Sequence, residues 1–371
     1  MRLTRLGVRD FRNLGEVALE LDAPFVVFHG DNGQGKTNLL EAIYLLATMK
    51  SFRARRNGEL VAWGASESWI SGSICADETT REFRLHVSPS KKSARIDGKS
   101  PASLPEYFKG IRGVLFAPEH VDIVRGEPGY RRRFIDRAVF TTYPTFIDTA
   151  RNFQRLLSQK AALLKSDFVD RNQLEILEIQ LIEAGVNVAQ YRQQMVDRLQ
   201  EPFVRYHGEI AGSSNAELHY QSALGEGTQE EMREQYQALI EKHRSDELRR
   251  QLNLVGPQRD ELSVHVNGKP ARSFGSQGQV RSIVLALKLA ELQVAREQGG
   301  RPLFLLDDLS SELDADRRER LIHLLGELDV QCFVSTTDAG LLMDAIPADS
   351  KLFRVVSGTV SGSDSRVQAV S

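Results

Sequence analysis

The chain opens on two loosely alternating stretches. Leu3, Leu6 and Val8, then Val17, Leu19 and Leu21, predict two paired strands around a turn at Asn13-Leu14-Gly15. A solid apolar run, Phe25-Val26-Val27-Phe28, predicts a buried strand, and a Gly-rich loop follows it. From Thr37 the spacing becomes helical, with Leu39, Leu40, Ile43, Leu46 and Ala47 on one side. Residues 59–98 read as short strands with turns at Asp77-Glu78 and Asp97-Gly98.

Between about residues 146 and 252 the texture changes to long, charged, Gln-rich stretches of helical spacing, such as FQRLLSQKAALL, with few glycines or prolines. This predicts a helical insert, an antiparallel pair of arms. A helix of about 30 residues spans about 45 Å, so the arms are short. After Gly256-Pro257 strands and α/β alternation return, and the Gly/Ser-rich tail beyond residue 357 is expected to be partly mobile. No internal repeat is visible.

Composition narrows the class. At 371 residues, with 41% apolar and 26% charged positions, the chain suits a soluble globular protein of one large or two ordinary domains. Its net charge of −2 gives no bulk attraction for nucleic acid, so any DNA binding must come from local basic surface or from a surface assembled on dimerisation. Two distant cysteines, Cys75 and Cys332, argue against a disulfide frame or a zinc site. No signal-peptide core and no run of about 18 apolar residues occurs, so a cytoplasmic protein without a membrane span is expected.

The strongest chemical signal is Gly30-Asp31-Asn32-Gly33-Gln34-Gly35-Lys36-Thr37, a G-x-x-x-x-G-K-T loop between an apolar strand and an amphipathic helix, with Asn38 next on that helix. Glycines let such a loop wrap a phosphate and turn its N–H groups inward, and the helix N-terminus adds partial positive charge. Lys36 would reach the β- and γ-phosphates of ATP, and the Thr37 hydroxyl would ligate Mg2+. A P-loop also needs a carboxylate from the end of a neighbouring buried strand. Leu303-Phe304-Leu305-Leu306-Asp307-Asp308 supplies it, with Asp307 for Mg2+ and Asp308 to polarise the attacking water. The competing reading is two solvated acids that cap the next helix. Asp307 lies too far along the chain from Lys36 for a compact small GTPase or a simple nucleotide kinase. A nucleotide-binding head built from both chain ends is therefore expected, with the helical insert between them.

Ser276-Gln277-Gly278-Gln279 opens a strong helix that runs toward the Asp307 strand, and resembles the S-G-G-Q core of the ABC signature. In ABC proteins such a loop faces the γ-phosphate held by the opposite subunit; a plain helix cap is the alternative. The three motifs in this order, split by a helical insert, resemble the SMC-type branch of ABC ATPases. VRDFRNL, GDNGQGKTNLLEAIYLL, KSFRARRNGELV, FAPEHVDIVRGEPGYRRRFID, GPQRDEL and LLDDLSSELD resemble the RecF family of that branch along nearly the whole chain. The long coiled coils of SMC proteins are missing.

The resemblance implies an α/β fold: an ABC-type ATPase head, with a P-loop mixed sheet and an antiparallel β subdomain, and a helical second lobe. We place the head at residues 1–120 plus 253–371 and the helical lobe at 121–252. The family binds ATP with Mg2+, dimerises around two nucleotides, binds double-stranded or gapped DNA, and works with RecO and RecR to load RecA at gaps. Carried over, Ser276 and Gln279 join Lys36, Asp307 and Asp308 in catalysis, and Ser310-Ser311-Glu312-Leu313-Asp314 is the loop facing the partner subunit. Thr336-Thr337 occupies a position where ABC proteins usually carry His, and Asp308 one where they carry Glu, which implies slow, switch-like hydrolysis. Candidate DNA contacts are the cluster Arg125, Arg131, Arg132, Arg133 and Arg137, the cluster Arg53, Arg55 and Arg56, and Lys91-Lys92. Arg53 to Arg56 could equally line the nucleotide site. The competing functions are an ABC transporter ATPase subunit, a P-loop kinase of a small metabolite and a structural SMC-like tether. The helical insert and the signature-like loop speak against the first two, and the short arms against the third.

Overall fold

The alternation at the start of the chain becomes a hairpin in which β1 (Arg2–Phe11) pairs antiparallel with β2 (Leu14–Glu20), Val8 standing opposite Val17. The computed structural model describes residues 1–76, 79–212, 215–309 and 313–363, so the Asp77-Glu78 turn signal lies outside it. Two compact units emerge. The first comprises Met1–His120, Glu209–Gly212 and Arg281–Ser371; the second comprises Val121–Gly208 and Ser213–Val280. Residues 253–280, assigned above to the head, thus cluster with the helical unit.

In the first unit, β1 and β2 extend through β4 (Ser68–Ala76), β5 (Thr79–Val87) and β6 (Lys92–Ile96) into a five-stranded antiparallel sheet of order β2-β1-β4-β5-β6. A second sheet of six strands runs β14-β13-β3-β12-β11-β7. Its strands β7 (Gly113–Phe116), β11 (Leu303–Leu306), β12 (Cys332–Thr336), β3 (Phe25–His29) and β13 (Lys351–Val356) are mutually parallel. Every residue of β7, β11 and β12 is buried, the signature of parallel strands covered on both faces. Part of the Gly/Ser-rich tail forms the antiparallel edge strand β14 (Thr359–Ser363). Helix α1 (Lys36–Thr48) lies close to the antiparallel sheet at Gly72, where an added Cβ would come within 2.6 Å of Leu46 and 2.7 Å of Leu3. Buried Gln331 joins the sheets. Its Oε1 accepts from Leu3 N, and its Nε2 donates to the carbonyls of Leu3, Leu21 and Ala23. Helices α2 (Leu104–Gly110) and α10 (Ala315–Glu327) complete the first unit with most of α9 (Gln277–Glu297).

The second unit holds α3 (Asp122–Arg125), α4 (Pro128–Thr142), α5 (Phe146–Leu164), the long α6 (Arg171–Ala211), α7 (Gln229–Arg250) and α8 (Ala271–Phe274). A small sheet of β8 (Ala216–Gln221), β9 (Glu261–Val266) and β10 (Lys269–Pro270) completes it. Two buried charge clusters fix the helices. Lys160 on α5 pairs with Glu178 on α6 at 3.1 Å and Glu247 on α7 at 2.7 Å. Arg192 on α6 pairs with Asp136 at 2.7 Å and with Asp260 at 2.9 Å, and Tyr220 donates to the same Asp260 carboxylate at 2.5 Å. Removing one member of such a cluster strands the rest without water, which holds the helices in one register.

Candidate nucleotide site

The P-loop leaves the end of β3 and enters α1, with Gly30, Gly33 and Gly35 all at positive φ. At Gly30 an added Cβ would stand 2.4 Å from the Val355 carbonyl oxygen, so the turn tolerates no side chain. Lys36 is buried, and its Nζ donates to the carbonyls of Gly30 at 2.7 Å and Asp31 at 2.8 Å. Burial pulls its pKa down, opposed by the carboxylates of Asp308, Asp307 and Asp31. The lysine thus stands on the loop with three acids in its field.

Thr37 Oγ1 donates to Asp307 Oδ1 at 2.8 Å, and Ser335 Oγ donates to the same oxygen at 2.7 Å. The strand carrying Asp307 is not the immediate neighbour of the P-loop strand that the motifs predict: β12 lies between them and contributes Ser335. Burial raises the Asp307 pKa; the hydrogen bonds from Ser335 and Thr37 lower it, neighbouring Asp308 raises it, and Arg53 lowers it. Asp308 follows at φ 55°, in the left-handed region, with its N–H held by Ser335 Oγ at 2.8 Å. Ser335 therefore orients both acids.

Behind the loop runs a set of supports that motif reading misses. Arg12 clasps the buried carboxylate of Glu41 on α1 with two bonds of 2.9 Å, and Ser51 donates to the same carboxylate. Arg53 donates to Asn38 at 3.1 Å, Asn38 to Asn13 at 2.7 Å, and Asn13 to the Gln34 carbonyl at 3.2 Å. On the loop's other side, Ser357 N donates to Gln34 Oε1 at 2.6 Å and Gly358 N to the Gln34 carbonyl at 2.8 Å. Two hairpin turns, β1–β2 and β13–β14, thus brace the loop. Arg53 thus stands next to the P-loop helix through its bond to Asn38.

Lys36, Thr37, Asp307 and Asp308 come together in the first unit, while Ser276 and Gln279 sit in the second. There they form a reciprocal cap on α9: Gln279 N donates to Ser276 Oγ at 3.2 Å, and Ser276 N donates to Gln279 Oε1 at 2.8 Å. Thr336 is buried and its hydroxyl donates to the Asp338 carbonyl at 3.1 Å. Of the loop at 310–314, Ser310, Ser311 and Glu312 lie outside the described residues, and Asp314 caps α10 by accepting from Arg317 N at 2.9 Å.

Of the arginine cluster expected to contact DNA, Arg131 is buried, Arg132 and Arg137 are half-buried, and Arg125 and Arg133 are exposed. Arg131 is 4% exposed, donates twice to Glu261 at 2.5 and 3.0 Å, and reaches the Gly126 carbonyl. Arg132 donates to the Asp260 carbonyl at 2.8 Å, Arg125 to the Gly275 carbonyl at 2.8 Å, and Arg133 lies 4.4 Å over the Tyr130 ring. Arg55 and Arg56 remain exposed. Lys92 donates to the Met49 carbonyl at 2.9 Å, while Lys91 is exposed.

Together with the parallel core sheet and the antiparallel sheet of the first unit, and with a signature-like loop in the second, this arrangement is that of an ABC-type ATPase head. The RecF/RecN/SMC N-terminal domain model matches residues 2–360, and the chain belongs to that family. Proteins named DNA replication and repair protein RecF are similar over nearly the full length. Those of Geobacter sp. (strain M21) and Geobacter sulfurreducens are 36% and 39% identical, each over 97% of this chain and 100% of their own. That of Myxococcus xanthus is 37% identical over 97% of each chain. A solved structure described as the recombination mediator protein RecF-ATPrS in the RecFOR pathway superposes with a TM-score of 0.88 at 28% identity, covering 97% of this chain and 98% of that one. An Smc head bound to the C-winged helix domain of ScpA shares the fold, with a TM-score of 0.59 at 15% identity over 98% and 97% of the chains. Among the described residues no helix is long and apolar enough to cross a membrane.

Proposed function

We propose that this chain is an ATP-gated DNA-binding protein of recombinational gap repair. It closes as a homodimer over two ATP molecules, binds double-stranded or gapped DNA, and works with RecO and RecR in loading RecA. The observation that carries this reading is the Thr37–Asp307 pair beneath a preformed P-loop, in a chain whose full-length relatives are RecF proteins.

The residues fit Mg2+ and ATP. Thr37 and Asp307 offer two hard oxygen ligands 2.8 Å apart, and the buried carboxylate accepts from the hydroxyls of Thr37 and Ser335. Mg2+, when bound with ATP, supplies charge neutralisation at the phosphates. Lys36 and the loop N–H groups hold the β- and γ-phosphates, Asp307 and Thr37 hold the ion, and Asp308 orients the attacking water. Gly30 to Gly35 set the loop's curvature, and Asn38 and Gln34 tie it to its braces. Ser276 of the partner signature faces the γ-phosphate, so hydrolysis requires the dimer. Asp308 in place of Glu, and Thr336-Thr337 in place of His, support a slow turnover that serves as a switch.

Light scattering with ADP or a non-hydrolysable ATP analogue tests the reading. Wild type should form a dimer with the analogue alone, and Ser276→Arg should remain a monomer. A monomer under every condition would replace this reading with that of a single-site P-loop enzyme.

A further inference from the structure

The Gly275–Ser276 peptide, at the mouth of the signature loop, is held from both sides. Its carbonyl accepts from Arg125 Nη2 at 2.8 Å, and its N–H donates to Gln279 Oε1 at 2.8 Å. A trans peptide directs its C=O and N–H to opposite sides, so whatever holds the carbonyl also aims the N–H. The neighbouring backbone is equally constrained. Gly275 N donates to the Ala271 carbonyl at 3.0 Å, and an added Cβ on Gly275 would stand 2.8 Å from that same oxygen. Arg125 reaches the loop because α3 packs against α8 inside the second unit. Its side chain is exposed and has no carboxylate partner among the described residues. The guanidinium charge is therefore not neutralised by an acid, and one of its five donors is committed to a backbone carbonyl.

We propose that Arg125 is a positioning residue of the signature loop, fixing the Gly275–Ser276 peptide so that the Ser276 N–H is presented to the nucleotide phosphate of the partner protomer. This rests on the ATP-closed dimer proposed above. Three consequences follow from the bonding. Arg125 prevents the peptide from flipping, which would turn a carbonyl oxygen toward the phosphate. Its positive charge polarises the peptide and strengthens the N–H as a donor. Gln279, a neutral acceptor, occupies that N–H in the free protomer, and a phosphate oxygen, a stronger acceptor, displaces it on closure. The cluster of arginines around Arg125 looked like a DNA surface in the sequence; here its first member serves the nucleotide instead.

The test is the dimerisation constant of the intact protein with a non-hydrolysable ATP analogue, for wild type, Arg125→Ala, Arg125→Lys and Ser276→Arg. Melting temperature and the protomer's affinity for a fluorescent ATP analogue are followed in parallel. Arg125→Ala is expected to weaken analogue-driven dimerisation about ten-fold, the loss of one charge-assisted hydrogen bond, with little change in melting temperature or protomer affinity. Arg125→Lys, which keeps a charged donor, should recover most of the loss. Unchanged dimerisation in Arg125→Ala, with DNA affinity lowered and its salt slope reduced by about one, would make Arg125 a phosphate contact on DNA and overturn the proposal. Failure of Lys to recover what Ala loses would overturn it too. If Ser276→Arg still dimerises with the analogue, the dimer reading itself falls, and the assignment of Arg125 falls with it.

Discussion

Thr37 Oγ1 and Asp307 Oδ1 lie 2.8 Å apart although 270 residues of chain separate them. The candidate nucleotide site is thereby closed by residues from distant parts of the sequence. Thr37→Val is nearly isosteric and removes only the hydroxyl, while Asp307 keeps Ser335 as a donor. The fold should survive, with a stability change within about 1 kcal/mol. Titration calorimetry with an ATP analogue, with and without Mg2+, should show the metal-dependent gain in affinity falling at least about ten-fold in the variant. An undiminished gain would remove Thr37 from the metal site.

Asp308 adopts φ 55°, a conformation that Asn tolerates as well as Asp does. Asp308→Asn therefore leaves the backbone unstrained and removes the carboxylate. ATP itself, and not only its analogues, should then hold the dimer in light scattering, while phosphate release drops by about two orders of magnitude. Normal turnover in this variant would assign the base elsewhere.

Much of the candidate chemistry in both units is legible in the sequence because each motif is local. The P-loop is contiguous, β11 announces itself as four apolar residues before two acids, and Ser276 with Gln279 has the spacing of a capping box. What could not be read depends on partners far along the chain. Arg131 and Glu261 are 130 residues apart, and nothing in an Arg-Arg-Arg run shows that its first member is buried. Arg12 and Glu41, or Gln34 and Ser357, meet only because sheet topology brings their turns to the P-loop. Charge clustering reports the probability of a surface, and folding decides which charges stay on it.

Arg131 offers a direct check on that distinction. Its two bonds to Glu261 and one to the Gly126 carbonyl make it part of the second unit's frame. Arg131→Ala should lower stability by about 1–3 kcal/mol, read from urea midpoints at constant slope. DNA affinity of the folded fraction should stay unchanged. Intact stability with weakened, less salt-dependent DNA binding would return Arg131 to the DNA surface.

Gln331 makes four hydrogen bonds that tie the first strands of the chain to the core sheet. Gln331→Leu keeps the volume and leaves one N–H and three carbonyls without their side-chain partner in a buried setting. Loss of about 2–4 kcal/mol is expected in chemical denaturation. Because the β1–β2 turn braces the P-loop through Asn13, nucleotide affinity measured well below the melting temperature should fall as well. A variant as stable as wild type would mean that water replaces the amide.

Part of the pH dependence of stability follows from two histidines withdrawn from water. Burial pushes the His207 pKa below the ordinary histidine value of 6.5; that of half-buried His29 moves the same way through partial burial and the charges of Arg354 and Lys36, opposed by Asp338. In the unfolded chain both titrate near the ordinary value. Below it the unfolded chain takes up protons that the folded protein does not, so stability is full above about pH 7 and declines as the pH falls through 6.5 toward the folded values. His207 lies beside Phe203, with ring centroids 5.9 Å apart, so phenylalanine suits its surroundings. His207→Phe should show a shallower fall in melting temperature between pH 7 and pH 5 than wild type, with the two curves closest near pH 8. Parallel curves over that range would show that His207 takes up its proton equally well folded and unfolded.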